Sequence, residues 1–114
     1  MERDPRVFLW DARKAAEAII AFTLGKTYDD YVGDLLLRSA VERQFQIVGE
    51  ALSLLSKVDA ELANRIPEHG RAIAFRNIIV HGYRVVKHDE VWRTVQKHVP
   101  ELIAGIDALL ADRP

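Results

Sequence analysis

Cysteine is absent from this chain of 114 residues. Its absence excludes a disulfide framework, a thiolate zinc site and a cysteine nucleophile together. It also fits a reducing compartment. No apolar run approaches the roughly 18 residues that a membrane span needs. The first residues, MERDPRVFLW, carry acids early and hold no signal-peptide core. The expectation is a cytoplasmic protein with no membrane partner. A large charge of one sign is missing too: 16 basic side chains meet 17 acidic ones, for a formal net charge of -1. Proteins that follow a nucleic-acid backbone over a long footprint carry a basic excess. Any nucleic-acid contact of this chain must therefore be local and short. There is no internal repeat, linker, charge block or low-complexity segment. With 49% hydrophobic and 29% charged residues, residues 1–114 read as a single soluble globular domain.

What is present is helical punctuation. Asp4 and Pro5 form a start signal, with Asp as N-cap and Pro at the first helical position. Val7, Phe8, Trp10, Ala15, Ala18, Ile19 and Phe22 follow close to a 3.6-residue period, and Gly25 stops that helix. Thr27 and Asp30 stand as a capping box, with Asp in place of the usual Glu. A long second helix is expected to keep Tyr31, Leu35, Leu36, Val41, Phe45, Val48, Leu52 and Leu55 on one face, to about Lys57. Asp59 caps a short turn. Further helices are expected from about Pro67 to Gly82, from His88 to His98, and from Pro100 to near Ala111. Ile78, Ile79 and Val80 favour a strand by propensity, but their flanks lack turn residues and no partner strand is visible. The fold class expected is all-α: an up-and-down bundle of about four to five helices with short loops.

The segment from Phe75 to Arg84, FRNIIVHGYR, holds the informative side chains. With Arg76 at zero on a helical wheel, Phe75, Ile78 and Ile79 centre near about 260°. Asn77, His81 and Arg84 centre near about 100°, almost opposite. Arg76 and Tyr83 share one flank. The wet side of any amphipathic helix could look like this. However, Arg76 to His81 contains no Lys, Glu or Asp. Asn is a mediocre helix former, better suited to caps, so its use points to a hydrogen-bonding task.

RNIIVHGY matches the RX4HXY motif of the HEPN superfamily, in its HepT-like branch. The resemblance extends over nearly the whole chain. TYDDYVGD resembles the segment joining the first two helices of that branch. AVERQFQIVGEALSLL resembles its second long helix, including Gly49, Glu50 and Ala51. VVKHDEVWRTV and then Val99, Pro100, Glu101 and Leu102 resemble its C-terminal part. The resemblance implies a HEPN-like bundle that forms a homodimer, with two motif helices meeting at a cleft. It implies a metal-independent endoribonuclease that needs no cofactor. Many members are toxins paired with an MntA-type nucleotidyltransferase antitoxin, which can transfer AMP to the motif tyrosine. By motif position the catalytic pair is Arg76 and His81, the modified residue is Tyr83, and Asn77 is accessory. Without the resemblance, Tyr83 reads as a half-buried packing residue with a wet hydroxyl.

The chemistry suits these residue types. RNA cleaves itself when a 2′-hydroxyl attacks the adjacent phosphate, leaving a 2′,3′-cyclic phosphate. An enzyme must supply a proton acceptor, a proton donor and a positive clamp on the developing charge. Histidine reaches both protonation states near neutrality, and arginine grips two phosphate oxygens. One chain supplies only one such histidine. A twofold dimer would place two copies of His81 and two of Arg76 in one groove, locally basic in a near-neutral protein.

The remaining candidates carry less. Glu42, Gln46 and Glu50 lie four apart on one face of the long helix. A solvated stripe is one reading of this face and a functional role for Glu42 stays open beside it, while Glu50 belongs to the Gly-Glu-Ala match and could orient Arg76 or Asn77. Gly49 is expected to let another helix approach. His69 falls near a helix start, and His88 and His98 read as exposed helix-end residues, without a metal-ligand pattern. Trp10 and Trp92 occupy apolar stripes and are assigned to the core or a dimer interface. Two other readings stay open: a non-catalytic helical module that binds a nucleotide or a nucleotidyltransferase, and a plain dimerisation bundle.

Overall fold

The computed structural model describes residues 4–66 and 87–112, and every regular element among them is helical. Asp4 starts the first helix: its Oδ1 accepts from the Arg6 backbone N–H at 3.0 Å. Helix α1 then runs Arg6–Thr23. Its Leu9, Ala12, Ala16 and Ile19 are fully buried, a stripe of helical period; of the expected stripe Phe8, Ala15 and Ile19 are buried, whereas Trp10 and Phe22 are exposed. The chain leaves α1 through Gly25, whose φ of +75° favours glycine. The capping box forms as expected. Thr27 accepts from the Asp30 backbone N–H at 3.1 Å, and Asp30 Oδ2 accepts from the Thr27 backbone N–H at 2.9 Å.

The long second helix does not form as one piece. Helix α2 covers only Tyr28–Val32, and α3 covers Leu35–Val58. The break falls at Gly33 and Asp34. Gly33 closes α2 with its N–H on the Asp29 carbonyl at 2.9 Å. Asp34 then restarts the chain as an N-cap, its Oδ1 accepting from the Leu37 N–H at 3.2 Å. The apolar reading of Leu35 and Leu36 fails with it. Both are exposed in the first turn of α3, while Leu37 is buried. Behind the cap the stripe is regular: Val41, Phe45, Val48, Leu52 and Leu55 are all buried. Asp59 caps the short helix α4, Ala60–Asn64, by accepting from the Leu62 N–H at 3.0 Å.

The C-terminal part is likewise not two separate helices. Helix α5, His88–Arg93, passes through a π-helical turn, Thr94–His98, into helix α6, Val99–Ala111. Pro100 has no N–H to give to a residue four back, and the wide turn just before it absorbs that loss. The Val99 N–H reaches back five residues to the Thr94 carbonyl. Helix α1 packs along both α3 and α6, and α2 packs on α3 and α5. The shared core is filled by Leu9, Ile19, Val41, Leu52 and Ile106, with Val91 and Val95 from the α5 side. Arg13 ties α1 to α6 through Asp107 and also meets Glu17 at 2.6 Å. None of the helices among the described residues is long and apolar enough to cross a membrane.

Candidate functional site

Arg76, Asn77, His81, Tyr83 and Arg84 lie outside the described residues, as does the whole helix expected from Pro67 to Gly82. His69 lies outside them too. The structure describes how the chain enters and leaves that segment. On one side α4 ends in Arg65 and the buried Ile66, and Arg65 pairs with Asp112 at 2.9 Å. On the other side Lys87 precedes α5.

Of the proposed site residues, Glu50 is described. It sits in the middle of α3, exposed, between the buried Gly49 and Ala51. It borders a groove of about 520 Å³ between α1 and α3. Ala15, Ala18 and Ala51 line this groove, and Asp11 and Lys14 face it from α1. Among the described residues Glu50 has no hydrogen-bond or ion-pair partner. Its expected partners, Arg76 and Asn77, belong to the undescribed segment. Gln46, one turn earlier, is half-buried and accepts from Arg43 at 3.4 Å. Glu42 is also half-buried and acts on the Tyr31 phenol through its charge.

Tyr31 is the side chain whose weight the sequence understates. Its spacing puts it on an apolar helix face, and it is the largest fully buried side chain of the described core. Its ring lies 5.4 Å from that of Trp92 and meets the His88 ring edge-on at 6.0 Å. The Tyr31 hydroxyl and His88 Nδ1 are buried without a hydrogen-bond partner among the described residues. Burial pushes the Tyr31 phenol well above its ordinary range, the Glu42 charge adds to this, and Arg38 opposes it. A signal for it does exist: a tyrosine between a capping box and a glycine can anchor a short helix by its ring.

Two minor assignments change, those of His88 and His98, and that of Trp10 narrows. Trp10 is 56% exposed, beside Arg6 and Leu110, and does not belong to the core. Trp92 is half-buried against it, as expected. His98 is not an exposed helix end. Its side chain is only 13% exposed, with Nδ1 3.7 Å from a Glu101 carboxylate oxygen. The π turn rotates it inward. His88 is half-buried, with its ring against Tyr31.

Comparison with known proteins follows the same lines. The family described as ribonuclease HepT-like matches residues 12–109. A protein of Thermococcus cleftensis named "Probable ribonuclease HepT" is 30% identical over 109 residues, covering 96% of this chain and 98% of its own. A candidate RNase of Caldanaerobacter subterraneus subsp. tengcongensis is 30% identical over 108 residues, covering 95% and 96%. Another, of Methanocaldococcus jannaschii, is 29% identical over 101 residues, covering 89% and 92%. No solved structure gives a significant match.

Proposed function

Because the chain belongs to the HepT-like ribonuclease family, and is by that membership an endoribonuclease, we propose that it cuts RNA without a metal in a site shared by two copies of the chain. One observation carries this reading: RNIIVHGY, an Arg and a His five residues apart with a Tyr two further on, lies inside the matched span. In the proposed homodimer one His81 takes the proton of the 2′-hydroxyl. The oxygen attacks the phosphate, and the other His81 gives a proton to the departing 5′-oxygen. The two Arg76 guanidiniums hold the phosphate oxygens as negative charge builds. Asn77 orients the phosphate or the imidazole. Glu50 is a positioning residue: from α3 its carboxylate holds Arg76 or Asn77 in line.

The chain is further proposed to act as a toxin whose antitoxin is an MntA-type nucleotidyltransferase. The Tyr83 oxygen attacks the α-phosphate of ATP and pyrophosphate leaves, so that an AMP group is fixed beside the groove. A bulky anion there blocks RNA and competes for Arg76.

RNA cleavage by purified protein tests this reading directly. Cleavage is expected to survive EDTA, to leave 2′,3′-cyclic phosphate ends, and to fall at least about 100-fold in His81→Ala and in Arg76→Ala. A mixed dimer of wild-type and His81→Ala chains is expected to lose nearly all activity. Retention of about half would mean that each His81 works alone. RNA binding without any cut by the wild type would replace the enzyme with a binding module. Incubation with ATP and the nucleotidyltransferase is expected to add AMP to the wild type and not to Tyr83→Phe, as read by mass spectrometry.

A further inference from the structure

Three leucines stand where a small protein has no packing reason to put them. Leu24 is 79% exposed, Leu35 68% and Leu36 79%. They border one concavity, formed where the end of α1, the α2 turn and the start of α3 come together. Exposed apolar side chains gathered along a rim that also carries polar groups mark interaction surfaces. Here the rim has a sign. Asp29, Asp30 and Asp34 line the same concavity, against the ammonium of Lys26. Asp30 and Asp34 each spend one carboxylate oxygen on a helix cap. The Asp29 side chain has no hydrogen-bond partner among the described residues.

We propose that this surface docks a segment of another protein that presents an apolar side chain beside Lys or Arg. The stem of a long basic side chain can lie over Leu35 and Leu36 while its charged head reaches the carboxylates. Charge decides between occupants. A twofold contact of the patch with a second copy would set aspartates against aspartates. An anionic lipid surface would be repelled by the same groups. A basic, partly apolar protein segment satisfies both halves of the surface. This surface is independent of the nuclease reading, since it draws on no residue of the motif.

The full-length protein would be titrated with two labelled amphipathic peptides of equal length, one of Leu and Lys and one of Leu and Glu, followed by anisotropy. The Leu/Lys peptide is expected to bind at least about tenfold more tightly and to weaken as salt is added. The double variant Leu35→Ser, Leu36→Ser is expected to lose that binding while keeping RNA cleavage and helical content. Both leucines are exposed, so little packing is removed. Should the double variant fail to fold, Asp29→Lys gives the same test through charge alone, with affinity again reduced about tenfold. Equal affinity for the two peptides, or undiminished binding by Asp29→Lys, would overturn the proposal. So would self-association of the wild type that these variants abolish, since a second copy would then own the surface. Binding of the wild type to zwitterionic vesicles through the leucines would overturn it too.

Discussion

A buried phenol without a hydrogen-bond partner is a local cost, and Tyr31 carries it. Its ring is fully enclosed by its neighbours, while its hydroxyl finds no acceptor or donor among the described residues. Removing an unsatisfied buried polar group recovers its desolvation penalty. Tyr31→Phe is therefore expected to stabilise the protein by about 1 kcal/mol in urea unfolding. Tyr31→Ala is expected to cost about 3–5 kcal/mol, because the ring against Trp92 goes as well. A Tyr31→Phe variant that is less stable than the wild type would mean that the hydroxyl is bonded. The same burial fixes a pH dependence. The folded phenol ionises above its ordinary range, whereas the unfolded one ionises near about 10. Below that pH both states hold the proton and stability is unaffected. Above it only the unfolded state releases the proton, so stability falls as pH rises. In Tyr31→Phe this alkaline loss is expected to shrink, and an ultraviolet absorbance titration of the folded wild type should show one tyrosine ionising late.

Helix ends decide where the elements stop, and they are the most legible part of the sequence. Thr27 with Asp30, and Asp59, cap where their residue types indicate, while the first helix begins one residue later than expected, with Pro5 at the N-cap and Asp4 before it accepting from the Arg6 N–H. A cap is legible because a short polar side chain competes with the backbone for the same hydrogen bonds. The break at Gly33 is hidden because the apolar period runs straight through it. Leu35 and Leu36 supply the right residue type, yet at about 100° per residue Leu36 falls opposite Phe45 and Leu35 to one side of it, so both face outward while Leu37 turns in. Asp34→Ala is expected to cost about 1 kcal/mol, read by thermal or urea unfolding, through the orphaned Leu37 N–H. A neutral result would mean that the start of α3 is held by packing alone. Gly25→Ala is expected to cost about 1 kcal/mol by a different route. A Cβ at that position would meet nothing within 4 Å, so the φ of +75° is the whole objection. Gly25→Asn should lose less, since Asn tolerates the left-handed region. The π turn is illegible for another reason. A proline at the first turn of a new helix and a proline after a widened turn leave the same mark in a sequence, so Pro100 does not tell them apart. The position of His98 is lost with it. The candidate site is legible through side-chain chemistry and resemblance: Arg76, Asn77, His81 and Tyr83 stand out by type and spacing, and Glu50 by its place beside Gly49.

The charge balance of the whole molecule limits how it can hold RNA. With 16 basic and 17 acidic side chains, the surface as a whole does not attract a polyanion. The proposed dimer concentrates positive charge in one place, through two copies each of Arg76 and Arg84. Each phosphate neutralised on single-stranded RNA releases about 0.7 of a counterion. Four arginines thus predict that the logarithm of the binding constant falls with the logarithm of salt concentration with a slope of about -3. The measurement requires a protein that binds without cutting, and His81→Ala supplies it, since removing the imidazole leaves every arginine in place. Fluorescence anisotropy with a short labelled RNA over a range of salt gives the slope. Arg84→Ala, placed in both subunits by symmetry, should lower its magnitude by about 1.4. A slope near about -7 or steeper would require about ten phosphates in contact. That is a long footprint, which this composition cannot hold by one short groove, and the shared-cleft arrangement would have to give way to one that tracks the strand.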